Sequence, residues 1–198
     1  NALGSMYSNY IPFEVSIDQF LNFDFVIYNQ IVDVLFPEIS VAANTKIKGS
    51  IKANENQLKL KVNSPKITAY GTTIDSLFLD TDNKRDFYDS SLRAASIKTP
   101  YYTLSKLLLY NKTVNDTLFF KSNFKGGASE KEKFNLDFYY TINKAKKSVL
   151  GIEKSTFNYL DNIWNLNPEN NLNNKLTFDL KSNEFIFSPF TLKSKEQE

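Results

Sequence analysis

Residues Asp116 to Ile142 read DTLFFKSNFKGGASEKEKFNLDFYYTI, two alternating patterns joined by one strong turn signal. In the second half Phe134, Leu136, Phe138, Tyr140 and Ile142 take every other position, with Asn135, Asp137, Tyr139 and Thr141 between them. Side chains alternate across a strand, so this period of two predicts a strand with one apolar and one largely polar face, and it excludes a helix. In the first half Leu118, Phe120 and Phe124 share a parity broken only by Ser122, while Lys121, Asn123 and Lys125 share the other with Phe119. Gly126-Gly127 and the charged run Ser129 to Lys133 supply the loop. The expectation is an antiparallel pair with an unusually aromatic face that something must cover.

Composition narrows what that cover can be. The 198 residues suit one domain or a large piece of a longer protein. A formal net charge of +2 gives no electrostatic reason to expect nucleic acid. With neither Cys nor His, thiol nucleophiles, disulfides, imidazole bases and the common zinc sets are absent, which excludes most hydrolase chemistry. Carboxylate pairs and Lys, Ser or Tyr bases remain, but the carboxylates cluster in turns, as Asp86/Asp89 and Glu130/Glu132 do, where water normally solvates them. The expectation is a non-enzyme with no catalytic residues, cofactor or metal. Aromatics are abundant, with 17 Phe and 11 Tyr against one Trp. No apolar run is long enough to cross a bilayer as a helix.

Working outward, Phe13/Val15/Ile17 and Leu21/Phe23/Phe25/Ile27 alternate as one strand or two. Asn29 to Phe36 carries Ile31, Val34 and Leu35 on one helical stripe before Pro37, which predicts a short helix near residues 29–36, placed as a lid on the apolar face. Thr45 to Val62 predicts a hairpin about Asn54-Glu55-Asn56, with Ile47, Ile51, Leu58, Leu60 and Val62 on one face. Lys46, Lys48, Lys52, Lys59 and Lys61 lie on the other, the ordinary wet face of an antiparallel sheet. Ser64-Pro65 reads as punctuation before a short strand, Lys66 to Tyr70, and Ile74 to Thr81 is apolar on both parities. Asp80, Asp82, Asp86 and Asp89 do not make a calcium loop: Arg85 stands where Gly is needed, Lys84 at a ligand position and Ser91 in place of the bidentate Glu. Further strands follow over Ser91–Thr99 and Tyr101–Tyr110, with Asn111–Asn115 as a turn, then Val149–Tyr159, the Trp164 segment and two closing strands around Ser182-Asn183. About a dozen strands in hairpin succession, without crossover spacing, predict an all-β antiparallel meander. Its face could be sealed by a second sheet, by closure into a barrel, or by an apolar ligand.

The stretch Asp116 to Gly127 resembles the TamB-like periplasmic proteins, inner-membrane subunits of the translocation and assembly module, within the AsmA-like family of bridge proteins. LKVNSPKI (Leu60 to Ile67), TDNK (Thr81 to Lys84), FNLDFYYTIN (Phe134 to Asn143) and the W-x-L-N and N-K-L-T-F segments between Trp164 and Phe178 are similar in order and spacing. The likeness covers most of Ser40 to Phe190. It implies an open, taco-like β-groove with a greasy interior, part of a periplasmic bridge that carries phospholipid between inner and outer membranes. It implies acyl chains and a TamA-like outer-membrane barrel as partners, an inner-membrane anchor outside this sequence, and a link to outer-membrane protein assembly. On this reading residues 1–11 are a cloning remnant or linker, 12–192 one groove segment of a larger protein, and 193–198 a charged stub. The expected trough lining is Ile47, Ile51, Leu58, Leu60, Val62, Leu118, Phe120, Phe124, Phe134, Leu136, Phe138 and Tyr140. The alternative is a secreted β-sandwich or barrel binding sugar or a small lipophile, with Tyr101/Tyr102 as the obvious surface pair.

Overall fold

The computed structural model describes residues 19–28, 31–127, 129–179 and 182–194; the Phe13/Val15/Ile17 alternation lies outside them. The elements run β1 (Phe20–Ile27), α1 (Ile31–Leu35), β2 (Ile39–Val41), β3 (Thr45–Lys52), β4 (Gln57–Ala69), β5 (Thr72–Asp82), β6 (Ser90–Lys98), β7 (Thr103–Val114) and β8 (Thr117–Gly126). They continue with β9 (Glu132–Ile142), β10 (Ser148–Ile152), β11 (Ser155–Tyr159), β12 (Asn162–Leu166), β13 (Lys175–Asp179), β14 (Glu184–Phe187) and β15 (Leu192–Ser194). All strands among the described residues belong to one antiparallel sheet that does not close on itself, so neither the sandwich nor the barrel is the fold.

The order of strands across the sheet follows the order along the chain, β1-β3-β4-β5-β6-β7-β8-β9-β10-β13-β14. The four strands off this path are collinear halves of interrupted rungs. Thus β2 and β3 share one edge of β4, and β10 and β11 share one edge of β9. In the same way β12 pairs with β11 where β13 pairs with β10, and β15 pairs with β12 where β14 pairs with β13. Adjacent rungs need only short turns, which is what a run of hairpin signals encodes.

Several sequence expectations are corrected by this geometry. Pro65 lies within β4, opposite the break between β2 and β3, so its missing N–H removes no bond to the rung on that side. The turn expected at Asn111–Asn115 shrinks to Asn115-Asp116, because Asp89 extends the ladder: its carboxylate accepts the Thr113 N–H at 2.7 Å and the Lys112 ammonium at 3.0 Å. Asp89 is only 3% exposed, and Asp80 accepts both bonds of Arg85 at 2.9 Å, so these two are structural anchors and not solvated turn residues. Val149 to Tyr159 is split at Glu153-Lys154. The helix is confirmed within the expected span but is no lid: Val34, Leu35 and Phe36 are exposed, and α1 packs at the end of β2. Five residues make little more than one turn, too short to carry an apolar stripe.

The loop between β12 and β13 is built on two buried asparagines. Asn167 donates to the carbonyls of Ile152 and Asn171 and accepts the Asn171 N–H, while Asn174 accepts the Thr191 N–H at 2.7 Å. Backbone groups freed by the interrupted rungs are thereby satisfied.

Removing the Asp89 carboxylate takes the counter-charge from Lys112, whose ammonium keeps only the Arg85 carbonyl, and takes the acceptor from the Thr113 N–H. Asp89→Ala is expected to lower unfolding free energy by about 2–4 kcal/mol, read by chemical denaturation, and Lys112→Met, which leaves the 3%-exposed carboxylate without its cation, is expected to destabilise as well.

Candidate functional site

The expected strand pair is present as β8 and β9, and its register places the aromatics face to face across the ladder. Phe120 opposes Phe138 and Phe124 opposes Phe134, with Leu118 opposite Tyr140 and Ser122 opposite Leu136. The Phe120 and Phe138 rings stack at 4.8 Å between centroids, and Phe124 and Phe134 at 4.6 Å. The stack then runs on across the sheet from Phe134 to Phe157 at 5.7 Å and from Phe157 to Trp164 at 6.4 Å. Planes within 11–14° of parallel make one stack of rings that crosses four successive strands.

The register carries this face to the other end of the sheet. Phe25, Ile47, Val62, Leu79, Leu92, Leu109, Ser122 and Leu136 oppose one another in turn along a single row. The neighbouring row is Phe23, Gly49, Leu60, Thr81, Ser90, Asn111, Phe120 and Phe138. All twelve residues expected from the sequence therefore lie on one face, although β3–β4 and β8–β9 are separated by three strands.

Leu77, Leu79, Leu92, Leu107 and Leu109 on those three strands were missed because their alternation breaks. Ser76 and Lys106 have φ of +52° and +54° inside β5 and β7, and the apolar positions change parity there, from Ile74 to Leu77 and from Leu104 to Leu107. A left-handed residue in a strand resets which face its neighbours occupy. The mixed parity of Ile74 to Thr81 was the available signal.

Among the described residues no second layer of protein covers this apolar face. Among the described residues only Val41, Ala94 and Val149 are buried apolar side chains, and the twelve expected residues are all half-buried, none of them sealed from solvent. In a two-sheet sandwich such residues would form a sealed core.

The opposite face is a lattice of ion pairs. Lys48 lies 3.0 Å from Asp24, Lys59 3.2 Å from Asp82, Lys61 4.0 Å from Asp80 and Lys121 3.7 Å from Asp137, each pair directly cross-strand. The lysine-rich β3–β4 hairpin is accordingly a compensated wet face. Arg93 caps the Phe78 ring at 4.4 Å. At the bulge between β10 and β11, burial, followed by the nearby Asp137 charge, raises the pKa of Glu153 from its ordinary value. Burial and the Glu153 charge likewise raise the Tyr139 phenol.

The tyrosine pair separates. Tyr101 points into solvent, whereas Tyr102 lies over Gly126 and donates to the Glu132 carboxylate. Burial first, then that carboxylate, push the Tyr102 phenol up to about 12. Among the described residues no group of three or more carboxylates is placed to hold a metal ion, and no helix is long and apolar enough to cross a membrane.

The fold and face together define a single-layer β scaffold that presents a broad aromatic and aliphatic surface. No family model, curated protein or solved structure matches the chain.

Because its folded pKa is raised, Glu153 contributes full stability below the unfolded carboxylate pKa and loses it as pH rises through the folded value. Glu153→Gln is therefore expected to melt about 1–3 °C higher than the parent near neutral pH. The advantage should vanish in thermal melts near pH 4.

Proposed function

We propose that this chain is a segment of a TamB-like periplasmic bridge whose apolar sheet face holds phospholipid acyl chains in transit between the inner and outer membranes. The observation that carries the reading is the open face itself: stacked Phe and rows of Leu and Ile, half-buried, on a sheet with no second layer among the described residues. Fully burying a side chain of this size is worth roughly 1.5–3 kcal/mol, so an occupant of matching polarity is strongly favoured over water. Acyl chains match it. They gain many weak dispersion contacts with rings and branched side chains and no single strong bond, which permits sliding along the row of rungs. Ion pairs on the opposite face keep the layer wetted on that side. The purely hairpin connectivity also supports the reading, since such a meander can be extended rung by rung without changing its cross-section. In the whole protein, a TamA-like barrel and an inner-membrane anchor would complete the route.

A photo-crosslinking amino acid tests this in cells, in the full-length protein. At Phe138 it is expected to yield phospholipid adducts, and at Lys121 on the ion-paired face it is expected to yield few. Crosslinks from Phe138 to other parts of the same chain, without lipid, would count against the proposal.

A further inference from the structure

The turns of the meander fall alternately on two rims of the sheet, and the two rims differ. One rim carries α1 and the turns β4–β5, β6–β7, β8–β9 and β11–β12; the other carries β3–β4, β5–β6, β7–β8, β9–β10 and β13–β14. On the first rim Tyr70 is 74% exposed, Tyr101 95% and Leu160 73%, beside the exposed Val34, Leu35 and Phe36 of the α1 end. The second rim shows Asn54-Glu55-Asn56, Asn115-Asp116, Asn143 to Lys147 and Ser182-Asn183 at its tips. Exposed aromatics at this end among the described residues are Phe87 in the β5–β6 turn, Phe20 at the start of β1 and Phe185 beside the β13–β14 turn, none of them at the tip of a two-residue hairpin.

Backbone geometry makes the contrast sharper. Three hairpins close with two residues that both have positive φ: Tyr70-Gly71 at +50° and +75°, Leu160-Asp161 at +50° and +63°, and Asn115-Asp116 at +47° and +60°. Such turns favour Asn, Asp and Gly, and a bulky side chain at positive φ is strained. The polar rim uses the favoured chemistry. The first rim instead holds Tyr and Leu at the strained position, with side chains about three-quarters exposed to water. Neither folding nor solubility accounts for that choice, and strain at an exposed apolar tip points to contact with something outside the fold.

The spacing selects the partner. Successive tips on one rim stand two strands apart, about 10 Å. A stable protein interface needs a contiguous, close-packed patch of roughly 800 Å² on each side. Single protrusions with polar residues between them do not form one, but a fluid boundary fills the gaps. Tyrosine, with an apolar ring and a polar tip, is suited to the level of lipid headgroups. We propose that this rim is a lipid-surface contact, with Tyr70, Tyr101 and Leu160 entering the interfacial layer of a bilayer. The contact stands apart from the acyl-chain reading, because these residues lie in turns, outside the strand face.

Flotation with vesicles of dioleoylphosphatidylcholine tests the contact, since electrically neutral lipid leaves apolar insertion as the driving force. The unaltered protein is expected to float with the vesicles, and the double variant Tyr70→Asn, Leu160→Asn to lose about tenfold in bound fraction. The same variant should melt higher than the parent, because Asn suits both turn positions; a loss of binding then cannot come from unfolding. Phe87→Ser on the other rim should leave flotation unchanged. Failure of the parent to float, undiminished flotation of the double variant, or an equal loss in Phe87→Ser would each overturn the proposal. Crosslinking at Phe138 reads the trough separately and is expected to persist in the double variant.

Discussion

Backbone hydrogen bonding between consecutive rungs is the interaction on which everything else in this structure depends. A sheet without a second layer cannot draw on a sealed core, and only three apolar side chains among the described residues are buried. Stability has to come from the ladder and from side chains paired across it. Each favourable cross-strand pair is worth roughly 0.2–1 kcal/mol, and the Phe120/Phe138 and Phe124/Phe134 stacks repeat that gain along the sheet. Strand glycines are shielded by the same device: the Phe23 ring covers Gly49 and the Tyr139 ring covers Gly151, each from the directly opposed position.

A long ladder accumulates mismatch, and the chain releases it at defined places. Left-handed Ser76 and Lys106, the gap between β2 and β3, and the Glu153-Lys154 bulge all interrupt rungs whose neighbours run through. Each break frees backbone groups, and buried polar side chains take them up. Thr45 bonds Ser64 at 2.7 Å beside the first gap, Ser155 accepts the Asp137 N–H at the bulge, and Asn167 and Asn174 hold the large loop. Buried residues of this protein are mostly polar for this reason, the inverse of a globular core.

The outcome is a layer with four distinct boundaries: an ion-paired face, an apolar face, a polar rim and a rim of exposed Tyr and Leu. The faces follow from strand alternation. The rims follow from connectivity, because a strict meander sends every second turn to the same side. The proposed acyl-chain surface and the proposed bilayer contact belong to different parts of one layer, and each rests on a different set of residues.

How much of this was readable in the sequence depends on whether alternation was interrupted. Asp116 to Ile142 and Thr45 to Val62 declare strands, turns and facing side chains directly, because a period of two admits one assignment of faces. Absence of Cys and His likewise removes whole chemistries without any structure. The β5–β7 contribution to the apolar face was hidden, since one left-handed residue inverts parity and no propensity marks Ser76 or Lys106 for that conformation. Asp89 read as solvated for a similar reason: its partners Lys112 and Thr113 lie more than twenty residues away, and only pairing of β6 with β7 brings them together. By itself the sequence determined the strands, their polarity and their hairpin succession, which are local properties of neighbouring residues. That the sheet stays open, that one apolar face runs its whole width and that the two rims differ was decided by the tertiary structure, because those are properties of register accumulated over many strands.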